Sequence, residues 1–479
     1  MRRFRVFKIG QFWCYLAILI GLSILMHFTH GAGFVVVVPF VFATFFRRKP
    51  DSLMFWMVVT VSMLVANSKI VPKDSIVFGL SQRAMLIAFG LIAIVKLMGG
   101  RKDALIKNFF IMWIYVIFMV FPSAFGWCPS VSFLKLFLFI VIFMAFIYAA
   151  NQASISAYDC SCGLRAVILA IGVYFIFGSM AIIPFPAYGQ LSPEQFLDNP
   201  DAQSLFMGMT SQPQALGPII SAIALIIFSD MLFSIKKANG LYIFLLSCCP
   251  YLIYKTSSRT GMGAFLMGFM YALFLFRKAR GVTQGWRSRV MTTSWTLAIV
   301  AGCMVLCVPS INKKAVEFIV KWGSSTEKGI TAEGVMASRQ AKIDSSMENF
   351  RKKPLFGNGF QVMEKTADLA ASAKGMILSA PIEKGVWVTA VLEEGGIIGF
   401  VIFSTFLFIN IVGLAKRRAY IGSTCLFVCM LTNLGEFSFF SMTYLGGFVW
   451  AMVFFGIALD AQRLKNERMI NNMRYINYA

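Results

Sequence analysis

Apolar runs of about 20 residues, the length that crosses a bilayer core as a helix, recur along most of the chain. Short polar intervals separate them. Fourteen spans are expected, over approximately 12–29, 33–46, 53–67, 76–98, 104–122, 133–150, 164–184, 213–234, 240–255, 261–276, 291–309, 387–414, 420–435 and 438–459. The second and third runs are short, which leaves a count of twelve or thirteen open. One interval breaks the pattern. From Pro309 to Val386 the chain is polar, with 12 basic and 8 acidic residues, a net of 12 − 8 = +4. The expected fold is an all-α polytopic membrane protein with a helical cap between two late spans. Residues 1–308 hold spans one to eleven with an outer loop at 184–213, residues 309–386 form the cap, and residues 387–479 hold the last three spans and a cytoplasmic tail.

Composition sharpens this. Of 479 residues, 58% are hydrophobic and 14% charged, against roughly 25% charged in soluble domains. Mean hydropathy is +0.74. A transmembrane barrel would show shorter, alternating segments. The net charge of +23 lies mostly in short loops, where it sets orientation and does not imply a nucleic-acid partner. With the N-terminus inside, Arg47–Lys49, Arg101–Lys102, Arg165, Lys236–Lys237, Arg277–Arg289, Lys416–Arg418 and Arg463–Arg468 all fall on the cytoplasmic side. Arg2, Arg3, Arg5 and Lys8 precede the first run, and no small-residue cleavage site follows, so that run is expected to be a span. The ten cysteines lie mostly in apolar segments and read as small packing residues. Cys160 and Cys162 lack the second pair that structural zinc needs, and neither a metal nor another cofactor is expected.

Within the cap, Glu333–Lys353 is expected as an amphipathic helix with Met336, Ile343, Met347 and Phe350 on one face. Pro354 stops it, and Leu355-Phe-Gly-Asn-Gly-Phe360 is a glycine turn. Arg339 shares the apolar face and is expected to point into the membrane domain. Arg259 opens the tenth span at the outer surface, against the positive-inside trend, with Ser258 or Thr260 as N-cap. A helix N-terminus and a bidentate guanidinium together suit an anion. The alternative is an interfacial arginine reaching lipid phosphates.

Glu383 is the first candidate for a general base; it could equally be a neutral pair with Lys384 at the cap edge. Glu393–Glu394 either lie inside the twelfth span, where carboxylates need partners or a role, or mark its true start. Arg83 is intramembrane, a functional candidate or a snorkelling residue in equal measure; Glu436 sits at the outer turn between the last two spans. Lys135 is expected at the interface, and His27 and His30 as polar packing at the end of the first span. Glu194, Asp198 and Asp201 are expected in a solvated loop.

The motifs, taken in order, resemble the bacterial O-antigen ligase and polysaccharide repeat-unit polymerase superfamily. They are Ser211-Gln-Pro-Gln-Ala-Leu-Gly217, Ser257-Ser-Arg-Thr-Gly261 opening a span, Ser338-Arg339 on a cap helix, Pro354-Leu-Phe-Gly-Asn-Gly-Phe360, and Glu393-Glu-Gly-Gly-Ile-Ile-Gly399. The likeness covers roughly residues 200–400. It implies a GT-C-like, metal-independent glycosyltransferase of the bacterial inner membrane, acting on its periplasmic side. Its donor would be an undecaprenyl-diphosphate-linked glycan and its acceptor another glycan, with a chain-length regulator as a further candidate partner. By the same resemblance Arg259 and Arg339 bind the diphosphate. Ser258, Thr260, Lys384, Arg83 and Gln214 are further substrate-binding candidates. The ligases carry a histidine followed by Asn near the end of the cap. Here that region reads Ala380-Pro-Ile-Glu-Lys-Gly385, which favours a polymerase over a ligase and leaves either Glu383 as the base or no strong base in use. A lipid-linked sugar transporter is the rival from another class.

Overall fold

The computed structural model describes residues 7–47, 49–73, 75–190, 205–234, 239–279, 292, 332–364, 384–435 and 437–476, with the side chains of 332–338, 471 and 473–476 left aside. Among these residues the protein is all-helical. The order is α1 (Ile9–Phe28), α2 (Ala32–Arg47), α3 (Pro50–Val65), α4 (Ile76–Gly99), α5 (Ala104–Ala124), α6 (Pro129–Ile155), α7 (Ser161–Ile182), α8 (Pro213–Phe233), α9 (Gly240–Lys255), α10 (Arg259–Lys278), α11 (Ala332–Lys352), α12 (Trp387–Lys416), α13 (Tyr420–Thr432) and α14 (Leu445–Ile476).

Nine of these helices, α1, α4–α8, α10, α12 and α14, are long and apolar enough to cross a membrane; α2, α3, α9 and α13 are shorter. Together the thirteen overlie every expected span except the eleventh, 291–309, of which only residue 292 is described. Residues 309–331 and 365–383 of the expected cap also lie outside the described residues. So do Glu194, Asp198, Asp201, Glu383 and Glu436.

Local chemistry sets the helix starts. Pro50, Pro129 and Pro213 stand in the first turns of α3, α6 and α8, where a missing N–H is harmless. Ser75 and Asn239 cap α4 and α9 by accepting from the N–H groups of Phe78 and Leu241. Helices α8 and α14 form the centre. Every residue of α8 from Ala215 to Phe233 is buried, as expected for a helix apolar all round. Trp450 of α14 packs on Phe143 and Phe454 and donates its ring N–H to the Phe439 carbonyl at 2.9 Å. Arg165 of α7 pins the far end of α8, holding Asp230 through two bonds of 2.8 and 3.1 Å.

Helix α12 breaks at Gly396 (φ 63°, ψ −166°). A break frees backbone groups that an apolar environment cannot satisfy. The glycine turn after α11 takes them. Asn358 and Gly359 donate to the Glu393 and Glu394 carbonyls at 2.9 and 3.0 Å, and the Ile397 N–H donates to the Pro354 carbonyl at 2.9 Å. Gly357 (φ +73°) lies so close that a Cβ would overlap the Glu394 backbone, and a Cβ on Gly396 would overlap Leu355. The turn is also fastened to the α5–α6 corner. The Phe360 N–H donates to the Ser132 hydroxyl at 2.7 Å, and the Trp127 N–H to the Asn358 carbonyl at 3.2 Å.

Gly357→Ala therefore combines a left-handed backbone, about 1–2 kcal/mol for an L-residue, with a backbone overlap. It is expected to lower the unfolding midpoint in detergent by several degrees. Gly263→Ala, whose Cβ meets nothing within 4 Å, should leave the midpoint unchanged or raise it.

Candidate functional site

Two regions at the α11 end of the bundle hold the candidate residues. The first is the turn that opens α10. Ser258, not Thr260, is the N-cap: its hydroxyl accepts from the Gly261 N–H at 3.1 Å. Ser257 has a positive φ of 52°. Gly217 of α8 and Gly261 let the two helices touch backbone to backbone, since a Cβ on Gly217 would overlap Ser258 and one on Gly261 would crowd the Gly217 backbone. Ser221 bridges them, donating to the Gly261 carbonyl at 2.7 Å. Thr260 packs against Gly435, in the turn after α13. These contacts fix the direction in which Arg259 leaves the helix start.

Arg339 stands on α11, and the half-buried or buried positions on that helix are Arg339, Lys342, Ile343, Ser346, Met347, Asn349 and Phe350. Arg339 thus lies on the inward face. That face is more polar than the sequence suggested, with Ser346 and Asn349 among its most buried members. Arg259 and Arg339 are both half-buried, and the charge of Arg339 acts on Arg259. Two segments 80 residues apart (339 − 259) therefore bring their guanidiniums within electrostatic reach. Gln214 is exposed in the first turn of α8, three residues before the Gly217 contact.

The second region is a buried ionic cluster under α11. Lys384 is 2% exposed. Its Nζ lies 3.4 Å from Glu393 Oε1 and 3.2 Å from Glu394 Oε1, and donates to the Val362 carbonyl at 2.7 Å. Glu393 also accepts from Asn349 Nδ2 at 3.3 Å. Glu394 faces Lys384 without a well-directed hydrogen bond to either oxygen. Lys135, expected at the interface, is instead buried, senses the charges of Glu394 and Lys384, and donates to the Gln361 carbonyl at 3.1 Å. Two ammonium groups thus offset two carboxylates. Charges so buried need each other, and removing one partner strands the rest.

Several expectations are corrected here. Lys384 is enclosed in this cluster and does not face outward as a substrate ligand; its partners are Glu393 and Glu394. Those carboxylates lie two turns into α12, just before its break at Gly396. Arg83 lies on α4, whose main packing partners are α6 and the first turn of α2; among the described residues no interaction ties it to either arginine. His27 and His30 are exposed at the end of α1, where the His27 ring meets that of Phe28 edge-on at 5.6 Å.

The sequence reading missed Lys73. It lies between α3 and α4, donates to the Leu64 carbonyl and stands 5.9 Å from the Tyr444 ring centroid. The Tyr444 hydroxyl bonds the Ser211 hydroxyl at 2.8 Å, which ties Lys73 to the start of α8. Burial pushes its ammonium down to about 7. The available signal was the one used for Arg259, a cation in a loop expected outside. Neither protein-family models nor curated protein sequences give a match to this chain. What fold and composition define is the class: a helical protein with the architecture of a multi-pass membrane protein.

Lys384→Met should destabilise the protein by about 3–5 kcal/mol, because two buried carboxylates lose their ammonium partner. The triple variant K384M/E393Q/E394Q should recover at least half of that loss, as read from unfolding midpoints in detergent. For Lys73 the folded protein releases its proton near 7, whereas the unfolded chain holds it to about 10.4. Between these values the unfolded state binds more protons, so stability rises with pH. The wild-type midpoint should climb from pH 7 to 9 relative to Lys73→Met.

Proposed function

We propose that the protein is a glycosyltransferase of the bacterial inner membrane that joins undecaprenyl-diphosphate-linked oligosaccharide repeat units on the periplasmic face. The observation that carries this reading is that two half-buried arginines from separate segments stand at one end of the bundle, Arg259 at the Ser258-capped start of α10 and Arg339 on the inward face of α11, with the charge of Arg339 acting on Arg259. Two like charges, one of them at the braced start of a long helix, suit a ligand with two adjacent anionic groups. In the reaction, an acceptor hydroxyl oxygen bonds to the anomeric carbon of the donor sugar. The bond from that carbon to the diphosphate oxygen breaks, and its electron pair leaves with the lipid diphosphate. The arginines stabilise the charge that develops there. The hydroxyl proton passes to a base. Glu383, outside the described residues, is one candidate; Lys73, which changes protonation near neutrality, is another. Transfer of a finished glycan to lipid A core or another acceptor uses the same chemistry with a different nucleophile.

A transporter of the same lipid-linked sugar is the second reading. The break in α12 at Gly396 beside buried Glu393, Glu394 and Lys384 favours it, because discontinuous helices with buried charges line many transport sites.

The test supplies lipid-linked repeat units to the purified protein in detergent, with no membrane to cross. A polymerase lengthens chains there and a transporter does not. Arg259→Ala and Arg339→Ala should each lower chain lengthening by about 100-fold or more while leaving membrane insertion and the unfolding midpoint near wild type. Normal polymer from either folded variant would remove the diphosphate clamp.

A further inference from the structure

At the other end of α12, past its break at Gly396, lies a cavity of about 890 Å³. Four separate stretches build it: the α4–α5 turn with the start of α5, the end of α6, the C-cap of α12, and the α14 segment from Ala461 to Arg468. Six cations line it: Arg101, Lys102, Lys107, Arg417, Lys465 and Arg468. Asp103 is the acid among the lining residues, giving 6 − 1 = +5. Its Oδ1 is already occupied, accepting the Leu105 N–H at 2.8 Å. Among the described residues no carboxylate pairs with any of the six.

The positive-inside rule accounts for cations in these loops. It does not account for their convergence on one walled space. The walls are braced. Buried Asn151 accepts the Asp103 N–H at 2.9 Å and donates to the Arg101 carbonyl at 3.0 Å, which fixes the turn that carries Arg101 and Lys102. Lys102 lies over the Phe110 ring at 4.5 Å. Arg417 donates to the Ala104 carbonyl and, at 3.3 Å, to Asn108 Oδ1; Lys465 donates to the Ser156 carbonyl. Leu105, Ile155 and Leu464 supply apolar lining between the charges. Beside the cavity, on α14, Met469 and Ile470 are exposed.

We propose that this cavity is a binding site for the phosphate headgroup of an anionic phospholipid. The volume falls within the range of small-molecule sites. Basic pockets between membrane helices on the cytoplasmic side take such headgroups. The apolar lining and the exposed Met469 and Ile470 suit the glycerol and upper acyl carbons, a feature that a free phosphate would not use. The site is independent of the arginine pair at the opposite end of α12 and of the reaction proposed for it.

The test uses the full chain in detergent micelles doped with phosphatidylglycerol or with phosphatidylcholine. It reads the unfolding midpoint relative to each protein's own lipid-free value, and lipid retention by native mass spectrometry. Phosphatidylglycerol should raise the midpoint and stay bound, whereas phosphatidylcholine should do neither. Arg101→Gln with Arg468→Gln should weaken the phosphatidylglycerol effect by about 30-fold, at roughly fivefold per cation near a membrane surface. The control pair Arg277→Gln with Lys278→Gln removes the same charge from exposed positions at the end of α10 and should leave the effect intact. Equal responses to the two lipids, or equal weakening by both variant pairs, would overturn the site. So would inorganic pyrophosphate at matched ionic strength reproducing the shift without lipid, since a free phosphate would then be the ligand.

Discussion

The break at Gly396 and the turn that fills it form the constraint on which this structure turns. A helix interrupted among apolar neighbours exposes carbonyls and N–H groups that have no water to turn to. Here the backbone of residues 354–359 supplies the missing partners, as though one more short segment had been spliced into α12. The splice does three things at once. It holds α11 over the end of the bundle, it fixes where Glu393 and Glu394 lie, and it leaves those carboxylates facing inward to be neutralised by Lys384. The ionic cluster and the orientation of α11, and hence of Arg339, follow from one local interruption.

The two ends of the bundle use charge differently. At the α11 end, buried charges are closed off in matched sets, while the two arginines are carried on rigid helix segments. The contact of Gly217 with Ser258 and the bond from Ser221 to Gly261 supply that rigidity on the α8 and α10 side. At the other end, Asp230 with Arg165 and Asp460 with Arg463 are similarly closed pairs, while the basic cavity stays unbalanced. In a molecule with few acids, an unbalanced cluster that is nevertheless well braced marks a place where an outside anion completes the structure.

Much of this was legible in the sequence. Runs of apolar residues located thirteen helices because length and hydropathy are one-dimensional properties. The helix at 332–352, its stop before Pro354 and the inward face of Arg339 followed from 3.6-residue spacing and proline chemistry. Pairings that depend on a broken helix were not legible. Lys384 reads as a neighbour of Glu383 and pairs instead with residues nine and ten positions on, because the chain folds back through α12. Lys135 looked interfacial by depth in its run, and only the turn at 359–362 covers it. Lys73 was passed over because its burial comes from Leu64, Tyr444 and the start of α8, none adjacent to it along the chain beyond Leu64.

The crowded glycines carry a consequence for ancestry. At 217, 261, 357 and 396 a single methyl group would strike neighbouring backbone or the serine cap, so these sites tolerate almost no drift while apolar helix faces can exchange one branched side chain for another freely. Distant kin that share little overall identity would then still betray themselves by four hydrogen-only positions at these intervals, a fingerprint written in absences of side chain.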